Sequence, residues 1–252
     1  MDRAVAAPRD CEAERVMRVV FTAFSRANYM QEVLASWARV RGVENTPLDF
    51  HVEPGCPHME RVIAEAALPS VTVHVNSRHL GVQANPFHAV TCGFGAFPDY
   101  SQPDDFVILA EDDITVGADT LEYFAWASER FAADPGILAV STYRQYPRDP
   151  QQAAAVSVEQ EFHGWVWGTW RDRWEQLAAD WTFNYEHNGW DWRLNDYWCR
   201  EQGRKVVYPH LARSQHIGQY GGAHCSPAAF EDLQSRCYLP DAPPQRYLLA
   251  DG

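Results

Sequence analysis

The chain has 252 residues, 46% hydrophobic and 22% charged, enough for one large domain with a sizeable core. A formal net charge of −13 lacks the basic field that nucleic acid demands, disfavours an anionic membrane surface for the same reason, and leaves nucleotide binding where a few arginines and a metal supply local positive charge. Six cysteines without a C-x-x-C pair argue against a zinc knuckle and read as reduced thiols of a cytoplasmic protein, with a Cys225–Cys237 bridge as the alternative.

In chain order, residues 1–14 lack the apolar segment of a signal peptide and read as a flexible N-terminal extension. Val16–Phe24 is rich in β-branched and aromatic residues and predicts a first strand. After the turn Ser25-Arg26-Ala27-Asn28, apolar residues at Met30, Val33, Leu34, Trp37 and Val40 mark one face of a helix closed by Gly42. Leu48–Val52 predicts a second strand, Met59–Leu68 a helix stopped by Pro69, and Val71–Val75 a third strand. A polar loop then leads to a helix from Pro86 to Phe94, and Asp105–Ala110 is a continuously apolar fourth strand suited to a sheet centre. Further on come a helix at Thr120–Phe131, a strand at Ile137–Ser141, a strand-like VSVEQEFHGWVWG from Val156, helices from Arg171 and from Asp191 to Gln202, and a strand at Lys205–Tyr208. The tail from His216 has no clear period, and no run of about 18 apolar residues predicts a membrane span.

Alternating strands and helices imply an α/β fold with a mostly parallel, doubly wound sheet, followed by a smaller mixed region. Ligands of such sheets sit beyond the carboxyl ends of the strands. Ser25 and Arg26, Glu53, Asn76 to Arg78, and Glu111-Asp112-Asp113 all follow strands and fall on that one edge. Three adjacent carboxylates repel one another and need compensation, which a divalent cation with oxygen preference supplies. A solvated turn ahead of a helix N-terminus is the plain alternative.

Asp191 lies between Trp190 and Trp192. Flanking apolar rings desolvate a carboxylate and raise its basicity, as a general base requires, although helix capping with the tryptophans in the core is an equally ordinary reading. Downstream, YPHLARSQHIGQYGGAH places His216 and His224 in a Gly-rich stretch expected to close as a loop over a ligand and touch metal or phosphate. Trp165, Trp167 and Trp170 either wall a pocket or fill the core.

ILAEDDITVGADTLEYF, a central strand ending in E-D-D about a hundred residues into an alternating β/α half, resembles the GT-A glycosyltransferases. Within them it is similar to the inverting N-acetylglucosaminyltransferase I family and related bacterial enzymes, and FTAFSRANYMQEVLASW is similar to that family's opening element. The resemblance implies a metal-dependent transfer of sugar from a nucleoside-diphosphate sugar, a UDP-sugar first among them, to an acceptor hydroxyl with inversion. It implies Asp113 as ligand of Mn2+ or Mg2+, Glu111 and Asp112 toward ribose and donor sugar, and Thr22, Ser25 and Arg26 in the nucleotide site. Glu53 would stand near the base, Arg78 would suit the diphosphate, and His216 would reach metal or phosphate. The family's W-D-D-W segment carries the base; with Trp190 at the first acidic position here, the role falls on Asp191, with Asp196 as fallback. Residues 15–116 would form the nucleotide-sugar-binding half and 117–252 the acceptor-binding half of one domain. Two rivals are a nucleotide-sugar-forming nucleotidyltransferase, disfavoured because FTAFSRANY has no glycine for a triphosphate loop, and a non-catalytic sugar-binding protein, which needs no acidic triplet.

Overall fold

The computed structural model describes residues 17–96, 105–144, 152–183, 189–220, 226, 228, 230–231, 238, 240–243 and 245–250. The N-terminal extension, His224, Cys225 and Cys237 lie outside these residues.

β1 (Met17–Ala23), β2 (Leu48–Val52), β3 (Val71–Val75) and β4 (Phe106–Glu111) run parallel in the order β3-β2-β1-β4. Beyond β4 the sheet turns mixed. β8 (Trp167–Trp170) is inserted antiparallel between β4 and β6 (Ile137–Ser141). β9 (Lys205–Pro209), β7 (Ala155–Glu159) and β11 (Leu248–Leu249) complete nine strands. A separate antiparallel ribbon joins β5 (Ile114–Val116) to β10 (Ser214–His216).

Helices cover both faces. α1 (Ala27–Trp37), α2 (Pro57–Glu65) and α4 (Thr120–Phe131) close a core containing Phe21, Phe50, Trp37 and Ile108. On the other face lie α3 (Gly81–Gly95), α5 (Arg171–Ala179) and α6 (Trp190–Arg193). That core contains Val20, Val107, Leu109, Trp167, Trp174 and Trp190. Gly93 lets α3 lie close to the sheet: a Cβ there would meet Val20 Cγ1 at 2.8 Å and Val107 Cγ1 at 3.0 Å. Trp167 and Trp170 are fully buried core residues.

Four differences from the sequence expectation matter for function. α3 begins at Gly81, five residues before Pro86, because Glu53 from the end of β2 accepts hydrogen bonds from Leu80 N (2.9 Å) and Gly81 N (2.7 Å) and so caps the helix from afar. The strand-like run from Val156 divides into β7 and β8, which β9 and β6 separate in the sheet. His216 is not in a loop: it pairs with Ile114 in the β5–β10 ribbon. The helix beginning at Trp190 widens to π-helical turns over Leu194–Glu201, a form often found beside functional sites.

A buried fork holds the ribbon in place. Arg213 Nε donates to Asp119 Oδ2 at 2.8 Å with both side chains fully buried, and Tyr247 Oη donates to the same oxygen at 2.7 Å. Its other nitrogens donate to the carbonyls of Leu211 and Ala153. A buried ion pair tolerates its desolvation through such added hydrogen bonds, which here meet Asp119 Oδ2 and the guanidinium. Its consequence here is positional, since His216 lies three residues further along.

Candidate functional site

The carboxyl ends of β1 and β4 are neighbours, with Thr22 in register with Glu111. The chain leaving β1 therefore meets the acidic triplet at once. Phe24 N donates to Asp112 Oδ2 at 3.2 Å. Arg26, just ahead of α1, bridges two carboxylates, with Nη2 2.5 Å from Asp112 Oδ1 and Nη1 2.6 Å from Asp113 Oδ2. From the opposite side His216 Nε2 stands 3.1 Å from the same Asp113 oxygen. Ile217 N donates to the Asp113 carbonyl at 2.8 Å, and Gly218 lies so close that a Cβ would fall 2.2 Å from Asp113 Oδ2.

The three acids are tuned apart. Burial, with Asp113 and Asp112 beside it, pushes Glu111 up to about 8. Burial raises Asp112 to about 6 against the opposing pull of Arg26. Burial also resists ionisation of Asp113, yet the His216 hydrogen bond and the Arg26 charge outweigh it and hold its pKa below the usual carboxylate value. Asp113 is thus the acid most firmly held in its anionic form. Its Oδ1 is buried and makes no hydrogen bond among the described residues. A buried carboxylate oxygen without a donor is a cost unless a ligand meets it, and a hard divalent cation matches that oxygen. The residues present fit such an ion.

Asp191 opens α6 after Gly189, whose φ of 98° is a glycine conformation. Gln83, in the first turn of α3, fixes this junction: its Oε1 accepts from Trp190 N at 3.0 Å, and its carbonyl accepts from Trp181 Nε1 at 2.9 Å. Burial raises the Asp191 pKa, and its charge in turn adds to the elevation at Glu111, so the two carboxylates lie within electrostatic reach. Only one of the two flanking tryptophans is buried. Trp190 is buried and stacks on Trp181 with centroids 5.0 Å apart, whereas Trp192 is 47% exposed.

The remaining candidates separate by environment. Thr22 is half-buried between Glu111 and His51 in the sheet, and Ser25 is exposed at the same edge. Arg78 is exposed on the loop before α3, at the ligand edge. Glu53 is buried and occupied with the α3 cap and with Asn76, 3.5 Å away. Asp196 points to solvent and pairs with Arg200 at 2.9 Å, away from the acidic group.

Three residues at the site carry no reading in the sequence, Phe24, Gln83 and Tyr29, and a fourth, Trp165, is distinguished only by the structure. Phe24, 44% exposed, lies 4.9 Å from the His79 ring at the edge where β1 and the loop before α3 meet. Its signal was an apolar residue one step past a strand end. Gln83 left no local signal, because its partner is more than a hundred residues away. Tyr29 Oη accepts from Tyr220 N at 3.0 Å and so ties the segment after β10 to α1. Trp165 was read as one of three equivalent rings; it alone of the three stands at the site, stacked on His216 with centroids 5.1 Å apart.

Residues 98–231 match the model of the GNT-I family. The alpha-1,3-mannosyl-glycoprotein 2-beta-N-acetylglucosaminyltransferase of Arabidopsis thaliana is 29% identical over 124 residues, 46% of this chain and 26% of that protein, so the chain spans about a quarter of this curated relative. Among solved structures, the mannosyltransferase PcManGT from Pyrobaculum calidifontis, in complex with GDP-Man and Mn2+, superposes with a TM-score of 0.55 at 17% identity over 82% of this chain and 58% of that one. S. aureus TarS 1-349 in complex with UDP-GlcNAc gives 0.55 at 12% identity over 86% and 64%. At these identities the structures establish the fold, which is GT-A. The family match takes in more than half of the chain, the acidic triplet, Asp191 and His216 among it, and the chain belongs to the GNT-I family.

Proposed function

We propose that this chain transfers a sugar from a nucleoside-diphosphate sugar to an acceptor hydroxyl in a metal-dependent, inverting reaction. The observation that carries the proposal is Asp113. It is anionic, flanked by Arg26 and His216, and presents one buried oxygen that meets no hydrogen-bond donor among the described residues, at the ligand edge of the sheet. Family membership and the names of the relatives, a glycoprotein N-acetylglucosaminyltransferase and two proteins solved with nucleotide sugars, support the same reading.

Asp113, with His216 beside it, would hold Mn2+ or Mg2+, which when bound supplies positive charge against the donor diphosphate. Arg26 and Arg78 add cationic charge on the same edge. Thr22 and Ser25 at the end of β1, and Glu53 beneath the loop before α3, bound the place where the nucleoside sits. Glu111 and Asp112 face ribose and donor sugar. Burial and the charges of Asp113 and Asp112 raise the Glu111 pKa, and a bound cation would oppose that rise.

Asp191 is the base. It takes the proton of the acceptor hydroxyl, that oxygen forms a bond to the anomeric carbon, and the bond from that carbon to the diphosphate oxygen breaks with its electron pair leaving on the phosphate. Attack from the face opposite the leaving group inverts the centre through a transition state of oxocarbenium character. Residues 15–116, joined by His216, serve the donor, and the rest of 117–252 serves the acceptor.

Calorimetric titration of the full chain with UDP, GDP, dTDP and CDP, each with and without Mn2+, tests the proposal. Binding of UDP that depends on the metal is expected. Folded protein that binds none of the four overturns it.

A further inference from the structure

A second group of metal-ligating side chains lies on the α3 face of the sheet. His51 on β2 is 2% exposed, and neither ring nitrogen has a hydrogen-bond partner among the described residues. Above it, His88 and Cys92 stand one turn apart on α3, four residues being the spacing that puts two side chains on one helix face. One ligand atom from each of the three lies within 4.8 Å of the others. Cys92 Sγ is 3.7 Å from either nitrogen of His88, and the His51 and His88 rings meet edge to face at 5.4 Å. His74, in register with His51 on β3, stacks on it at 4.9 Å, with its Nε2 3.8 Å from Asp49.

Packing alone does not account for this arrangement. A buried imidazole bears its full desolvation penalty when both nitrogens go unmatched, and a Phe would fill the same space without it. Neutral imidazole and thiolate are instead the donors that first-row transition metals prefer, whereas Mg2+, Mn2+ and Ca2+ prefer oxygen. We propose that His51, His88 and Cys92 form a zinc-class metal site, separate in chemistry from the carboxylate site at Asp113, with its fourth position open to water or to His74. Metal–nitrogen bonds of about 2.0–2.1 Å and a metal–sulfur bond of about 2.3 Å require the three side chains to draw together slightly, which the exposed His88 and Cys92 can do by rotamer adjustment. His51 is ready as a ligand: burial, with His74 and His88 nearby, holds its pKa down to about 4, so its lone pair is free. Burial raises the Cys92 thiol, and binding would release its proton to solvent.

The chelator-treated full chain is titrated with Co2+ in the presence of excess Mg2+. One equivalent is expected to develop the near-ultraviolet thiolate-to-cobalt charge-transfer band, together with the visible bands of a tetrahedral ion. Zn2+ then bleaches them. The band is lost in Cys92→Ser, a substitution at an exposed thiol that leaves the circular dichroism unchanged, and is retained in Cys56→Ser. A folded wild-type protein without the band, or a band that persists in Cys92→Ser, overturns the site. Because the carboxylate centre holds no thiol, this readout is independent of nucleotide binding and turnover.

Discussion

The two carboxylate stations of the site are held in opposite ways. Asp113 and Asp112 are gripped by a guanidinium across two oxygens, with an imidazole behind. Asp191 is paired with no cation among the described residues and is shaped by burial and by backbone hydrogen bonds at the start of α6. The first arrangement keeps negative charge in place and keeps an oxygen ready for a cation. The second makes a carboxylate more basic. Charge storage and proton abstraction thus need different surroundings, and one sheet edge with one helix start supplies both.

The strongest way to break the contrast is Asp191→Asn. Turnover should fall by about 10²–10⁴-fold, the range for loss of a general base, while Mn2+-dependent nucleotide binding in calorimetry stays unchanged. Stability should hold or rise. A folded-state pKa raised above the unfolded one means that the ionised carboxylate opposes folding at neutral pH, and this cost vanishes as pH falls below the unfolded value. For the same reason the acid limb of kcat/KM in the wild type should lie above 3.8, with activity lost as pH falls through it.

Next in size is Arg26→Met. Removing the cation leaves two buried carboxylates facing each other, at a cost of about 3 kcal/mol, the low end for a broken buried pair because Arg26 keeps some solvent contact. The loss should show in denaturant unfolding without metal and shrink when Mn2+ is added. A loss that metal does not touch would mean that the guanidinium and the cation act at different places.

A smaller effect is expected from Gly218→Ala. The added methyl would stand 2.2 Å from Asp113 Oδ2, and overpacking of this kind costs about 1–3 kcal/mol. We expect about a tenfold weaker metal-dependent nucleotide affinity, with Asp191-dependent chemistry intact once donor is saturating. Smallest of all is Asp196→Asn, which removes one exposed ion pair spaced four residues apart. Stability should change by about 0.3–0.5 kcal/mol and turnover by less than about twofold. A large loss of turnover would move the base from Asp191 to Asp196.

Much of this was legible in the sequence where the cause is local. β2, β3, α4 and β6 begin and end where apolar pattern and flanking breakers put them. The edge that gathers Arg26 and the acidic triplet followed from strand ends alone. What escaped has distant causes. α3 starts early because its cap comes from Glu53, 28 residues back. β5 and β10 have three residues each, too few to alternate, and are defined by pairing across about a hundred residues. Periodicity cannot say which tryptophan meets His216 and which two vanish into the core, because Trp165, Trp167 and Trp170 differ only in the partners the sheet brings to them.

The β5–β10 ribbon also says something about assembly. Asp113 and His216 lie 103 residues apart (216 − 113), and closing a loop of that length costs on the order of 4 kcal/mol of chain entropy before any contact offsets it. Arg26 reaches the same carboxylate across 87 residues in the other direction. Three remote stretches must therefore arrive together before the centre exists at all. A nascent chain that has emerged only as far as β9 can hold the parallel strands and the acidic turn, but it cannot yet hold His216 against them. The ribbon makes the appearance of the site a report that the stretch from β1 to β10 has reached its native connections.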